Sequence, residues 1–296
     1  YPGRTNRWMP AGGIDQNVKY AYPAWVEGAK TGMDNMKKYM KNDESVNLMY
    51  ASKYASTANY WKNRQGMIDA LTKFGTAKTK AGQEAKFDRW ANKPANKAKY
   101  GNVITTINKY YDATDVKSSH DSYLMQLLRT AAYGAMPASL GNGLIQYAAE
   151  NEAKRGEMLP RFNDAIEGTY SEFYAPIEKD VLAAQLNLYA AKGSAYGLPT
   201  MVAKLKAENN GDFTKFVNDA VEKSIFSSKE KLQNYLNNPD AELVKNDPLY
   251  LISSDLLKQY RAKSDELAAM DNDFQKAFRL LVEGLRESKL NAIQYP

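Results

Sequence analysis

The sequence predicts an all-α fold, an irregular bundle of long antiparallel helices, and three observations carry that expectation. Past residue 23 the apolar residues recur at spacings of three and four, as in Met33, Met36 and Met40, the period of a helix with one buried face. No segment of that part sustains the alternation of a half-buried strand. Gly, Pro and Asn interrupt the pattern in short clusters, which suits tight turns between antiparallel neighbours. No repeat of fixed length is present, which argues against a solenoid.

Taken in order, residues 1–22 read differently from the rest. Pro2, Gly3, Pro10, Gly12, Gly13 and Pro23 all break helices, so this stretch is expected to be extended, with strand-and-turn character. A first helix is expected over 24–41. A second opens at Asp43-Glu44-Ser45, whose carboxylates suit a helix N-terminus, and runs to about Phe74. Further helices are expected over 79–100, 102–114, 119–134 and, after Pro137, 138–155. A long one covers 157–191, a short one 199–208, two more fill 212–237, and a last long helix spans 249–288.

Composition bounds the class. Apolar residues make up 44% and charged residues 25% of the 296, a globular balance that excludes a disordered chain. No apolar run approaches the roughly 18 residues of a membrane span. The N-terminus has no signal-peptide pattern, and both ends read as cuts in a longer chain. With no cysteine, disulfides, thiolate metal sites and cysteine nucleophiles are excluded. The net charge of +6 is uneven: residues 1–110 hold 19 Lys and Arg against 8 Asp and Glu. A solvated basic face is the preferred reading, since no nucleic-acid motif accompanies the charge.

The chemistry of common active sites is absent, so no catalytic residue is expected in this chain. A serine triad needs an imidazole, and the one histidine, His120, follows Ser118-Ser119 in what reads as a helix cap. It is expected near the surface. One His and no Cys make a zinc site improbable, and neither a metal nor a cofactor is expected. Asp271 and Asp273 lie on a charged helix with no apolar pocket to raise a pKa. Ser139-Leu140-Gly141-Asn142-Gly143 lacks the Lys-Ser/Thr of a phosphate loop and reads as a turn or kink between helices.

One constellation stands out. Ser52, Ser56, Asn59, Asn63 and Gly66 fall on one stripe of the second helix, with Tyr50, Tyr54, Trp61 and Leu71 opposite as a candidate core face. Asn is a poor residue inside a helix, because its side chain competes for backbone groups. The stripe is therefore either a polar seam between helices or a surface that a ligand approaches.

Specific residues add to this reading. Tyr1-Pro2-Gly3-Arg4-Thr5-Asn6-Arg7-Trp8 resembles the GYPGRTNRY segment of a family of bacterial serine exopeptidases, the dipeptidyl-peptidases seven and eleven, with Trp8 standing where Tyr is more usual. Ala58-Asn59-Tyr60-Trp61-Lys62-Asn63, followed by Gly66-Met67, is similar to a second hallmark, and Asn291-Ala292-Ile293-Gln294-Tyr295-Pro296 resembles the point where those chains re-enter their second barrel. In that family a helical domain is inserted into a chymotrypsin-like double β-barrel, between the Asp and the Ser of the triad. The resemblance implies that residues 23–290 are the helical cap, that 1–22 belong to the end of a barrel or to a linker, and that 291–296 return to the barrel.

It also implies a role. The cap covers the active-site cleft and contributes an asparagine that binds the free α-amino group of the peptide substrate: Asn59, or Asn63 one turn on. The full-length protein is then expected to release dipeptides from peptide N-termini, in the periplasm or after secretion. Its implied partners are peptide substrates and the barrel of the same chain, with a homodimer as one expected assembly and no nucleic acid or membrane span. The rival expectation is a free-standing helical protein whose basic first third holds an acidic or nucleic-acid partner.

Overall fold

The computed structural model describes residues 8–290. Fifteen α-helices follow one another among them: α1 (Ala11–Gln16), α2 (Tyr22–Met40), α3 (Glu44–Lys73), α4 (Thr76–Ala91), α5 (Pro94–Tyr100), α6 (Val103–Arg129), α7 (Ala132–Ala149) and α8 (Glu152–Tyr170). Next come α9 (Ala175–Lys192), α10 (Thr200–Glu208), α11 (Thr214–Lys223), α12 (Lys229–Asn237), α13 (Ala241–Lys245), α14 (Pro248–Arg261) and α15 (Asp265–Glu287). The described residues contain no strand, as the helical periodicity predicted.

The helices sort into two compact units. One holds residues 24–62 and 120–261. Its core is built around α7, which carries no charged residue in 18 positions and is therefore buried on several sides, against α8, α9, α13 and α14. Leu124, Leu127, Tyr133, Leu144, Leu182 and Leu186 are fully buried there, each contributing about 1.5–3 kcal/mol through removal from water. Gly141 lets α14 close on α7, because a Cβ there would stand 2.2 Å from Tyr250 Cδ2.

The other unit holds, of the described residues, 8–23, 63–119 and 262–290. Phe87, Ala91, Tyr100, Ile107 and Leu281 form its core. Tyr110 stacks on Phe274 of α15 at 4.2 Å between ring centroids.

Several expectations are corrected. Residues 1–22 were to be extended, yet Ala11–Gln16 is α-helix and Asn17–Ala21 a π-helical turn that runs into α2. The glycines taken as breakers serve packing: a Cβ on Gly12 would come within 2.9 Å of the Tyr111 ring, and one on Gly13 within 2.7 Å of its hydroxyl. The wider π turn precedes Pro23, where an ordinary α turn would set the proline ring against the carbonyl four residues back. Residues 1–7 and 291–296, which carry most of the first motif and all of the last, lie outside the described residues.

The expected cap at Ser118-Ser119 does not exist. Ser118 Oγ donates to the Asp115 carbonyl at 2.7 Å, and α6 continues through both serines. Pro137 and the Gly141-Asn142-Gly143 stretch lie inside α7. The long helices expected over 79–100, 157–191 and 249–288 are each broken, at Asn92-Lys93 before Pro94, at 171–174 and at 262–264. The last break is fixed by Ser264, whose hydroxyl accepts from Leu267 N at 3.1 Å and starts α15.

Candidate functional site

The polar stripe lies on α3, whose position is set at its N-terminal half. Asp43 starts the helix: its Oδ1 accepts from Ser45 N at 2.9 Å, Ser45 Oγ at 2.6 Å and Val46 N at 3.2 Å. The Ser45 hydroxyl bond, with the Val46 amide bond, holds the Asp43 carboxyl below its ordinary range. One turn later α3 buries Val46 and Tyr50.

Tyr50 belongs to an anchor that the sequence reading missed. Its hydroxyl donates to Glu178 Oε1 at 2.8 Å and accepts from Tyr174 N at 2.9 Å. Lys53 Nζ meets the same Oε1 at 2.8 Å, and Ala132 N donates to Oε2 at 2.6 Å. Glu178, with 1% of its side chain exposed, thus ties α3 to the first turns of α7 and α9. Burial, then the adjacent carboxylate, pushes the Tyr50 phenol far above its usual pKa, so it stays neutral and keeps the proton it donates to Glu178. A groove of about 600 Å³ opens beside this anchor, lined by Lys53, Arg129, Thr130, Ala132, Glu172 and Glu178.

The stripe points away from this packing. Ser52, Ser56, Asn59, Asn63 and Gly66 are all exposed. Among the described residues neither Asn59 nor Asn63 has a side-chain hydrogen-bond partner, and nothing lies within 4 Å of a Cβ placed on Gly66. A polar seam between helices would have satisfied these carboxamides, so the seam reading fails within the described residues. Of the opposite face, Tyr50 is fully buried and Tyr54 packs on the core, while Trp61 is half-buried with its indole N–H unpartnered.

His120 is corrected. It lies in the middle of α6 with 1% exposure. Nε2 is 2.8 Å from the Tyr189 hydroxyl and Nδ1 is 3.2 Å from Asp121 Oδ1, while Tyr196 covers the ring at 4.7 Å between centroids. Both nitrogens are engaged, and none is left to accept a proton from a nucleophile. Among the described residues no group of three or more His, Cys, Asp or Glu could hold a metal ion.

With this geometry in place, comparison with known proteins decides the family. The model of the peptidase S46 family matches residues 1–296. The chain belongs to the peptidase S46 family. It is 42% identical over 297 residues to Dipeptidyl-peptidase 7 of Capnocytophaga gingivalis, a match covering 100% of this chain and 41% of that protein. It is 26% identical to Dipeptidyl-peptidase 7 of Porphyromonas gingivalis, covering 97% and 40%. The crystal structure of Porphyromonas endodontalis DPP11 in complex with the dipeptide Arg-Glu matches with a TM-score of 0.82 at 24% identity, over 98% of this chain and 42% of that one, a likeness of fold. The chain spans about two fifths of the length of these S46 relatives.

Proposed function

We propose that this chain is the helical cap of a serine-type dipeptidyl-peptidase, and that its α3 stripe holds the free N-terminus of the peptide substrate. The observation that carries the reading is Asn59, an exposed and unpartnered carboxamide in mid-helix on an element fixed by a buried carboxylate. The family match over the whole chain supports the reading and weighs against a free-standing binding protein.

The chemistry is simple. The Asn59 Oδ1 accepts from the substrate's α-ammonium, which would be costly to leave unpaired once the cleft closes over it. A dipeptidyl-peptidase must hold that nitrogen about 7 Å before the scissile carbonyl, the reach of two extended residues. A clamp on a rigid helix sets this distance. Acyl transfer to a serine, with histidine as base, falls to a barrel domain of the full-length protein, working in the periplasm or outside the cell. Cell fractionation checks the location.

Steady-state kinetics of the full-length protein test the clamp. A charge-assisted bond of about 1.5–3 kcal/mol makes Asn59→Ala lower kcat/KM roughly ten- to a hundredfold, with Asn63→Ala doing less. The loss shrinks for a substrate with a blocked amine. Normal kinetics with a lowered melting temperature would reject the clamp. Residues 1–296 alone hydrolyse no dipeptidyl chromogenic substrate, because base and nucleophile are missing; turnover that survives rigorous purification would contradict this.

A further inference from the structure

We propose that the solvent face of α4 and α5, with the Phe74 turn that leads into them, attaches this protein to a bilayer surface rich in anionic headgroups. Residues 76–100 hold seven cations, Lys78, Lys80, Lys86, Arg89, Lys93, Lys97 and Lys99, against two acids, Glu84 and Asp88. The two acids offset only part of this charge. Glu84 accepts from Ala11 N at 2.6 Å, and Asp88 accepts from Asn92 Nδ2 at 3.1 Å. Lys99 is paired with Glu283 at 2.6 Å. Lys80 is half-buried and also has a partner, which leaves Lys78, Lys86, Arg89, Lys93 and Lys97, all exposed and without an ion-pair partner among the described residues. On α4, Lys78, Lys86 and Arg89 fall within one third of the helix circumference.

The apolar component sits at the entry to this face. Phe74 is 73% exposed at the end of α3, next to Lys73, where Gly75 turns the chain with φ +56°. Met67, two turns back on the same side of α3, is 38% exposed. A groove of about 650 Å³, lined by Ile14, Val18, Leu71, Gly75, Ala77 and Lys78, adds apolar surface beside the turn. An exposed aromatic next to a field of cations suits the headgroup boundary, where the ring enters and the charges stay in the anionic layer.

The side chains favour lipid over other polyanions. Four of the five unpaired cations are lysines, whose flexible ammonium groups follow mobile headgroups, whereas fixed phosphates or carboxylates are better held by guanidinium forks. A single-stranded nucleic acid would need aromatic platforms on the face. The aromatics of α4 and α5 themselves are turned to the core, with Trp90 packed on Tyr100 at 5.1 Å and on Phe87 at 5.7 Å, and the single exposed ring at Phe74 makes no platform for successive bases.

Co-sedimentation of the full-length protein with vesicles tests the proposal. Vesicles of phosphatidylcholine with phosphatidylglycerol should bind it, phosphatidylcholine alone should not, and high salt should release it. The triple variant Lys78→Gln/Lys86→Gln/Arg89→Gln should weaken partitioning about a hundredfold, and Phe74→Ser alone roughly tenfold. Dipeptidyl-peptidase activity and melting temperature should be unchanged in both. Equal binding to the two vesicle types, no binding, or a triple variant that partitions like the parent overturns the proposal. So does capture of a single-stranded oligonucleotide through the same cations without vesicle binding.

Discussion

Replacing Glu178 by Gln removes one oxygen and should loosen α3 more than any change on its exposed face. The carboxylate accepts three donors, from Tyr50, Lys53 and Ala132, in a site with 1% exposure. An amide keeps one acceptor. With its oxygen toward Tyr50 and Lys53, its NH2 faces the Ala132 N–H and strands that donor, at about 1–3 kcal/mol. The Lys53 ammonium also loses its charged partner, but its side chain is 29% exposed and recovers water, so this adds about 1 kcal/mol or less. The opposite orientation strands two donors and is worse. The sum is about 3 kcal/mol, or roughly 6–12 °C in melting temperature for a unit of this size. Urea denaturation of the full-length protein gives the loss, and hydrogen exchange should place it in residues 44–62. Tyr50→Phe should cost about 2 kcal/mol by stranding the Tyr174 N–H, and the double variant should lose less than the two singles together. A Glu178→Gln protein within about 0.5 kcal/mol of the parent, with unchanged exchange over 44–62, would refute the anchor.

Two glycines give opposite expectations from the same substitution. Gly66→Ala, in an open position of α3, should stabilise by about 0.5–1 kcal/mol through helix propensity. Gly141→Ala should destabilise by about 1–3 kcal/mol, because the new Cβ meets the Tyr250 ring at 2.2 Å. Thermal melts of both read the signs directly.

The sequence exposed those features that local chemistry dictates. The span of α3 was legible to within a residue or two, because Asp43 caps it and Gly75 ends it. The polar stripe was legible from period alone, and so was the half of the opposite face that packs on the core, Tyr50 and Tyr54, whereas Trp61 is only half-buried and Leu71 lines a groove. What stayed hidden depended on residues far along the chain. Gly12 and Gly13 read as breakers because Tyr111, the ring they admit, lies about a hundred positions away. His120 read as a residue near the surface because Tyr189, which buries it, is 69 positions on. Glu178 carried a signal that went unread: a carboxylate on the apolar face made by Val181, Leu182 and Leu186 is expected to have a buried partner. The break before α15 was also readable, in Ser264 followed by Asp265-Glu266.

The interleaving of the two units carries a consequence for synthesis. The unit holding α4 and α5 is closed by α15, which supplies Phe274, Ala277 and Leu281 to its core. At about 5–20 residues per second, the ribosome releases α15 roughly 10–40 s after α4. Phe87, Ala91 and Tyr100 are therefore without part of their shelter for that interval, while residues 120–261 are made and can condense first. These residues stay vulnerable until α15 arrives, and a nascent-chain holdase that grips residues 76–110 would cover them for that interval.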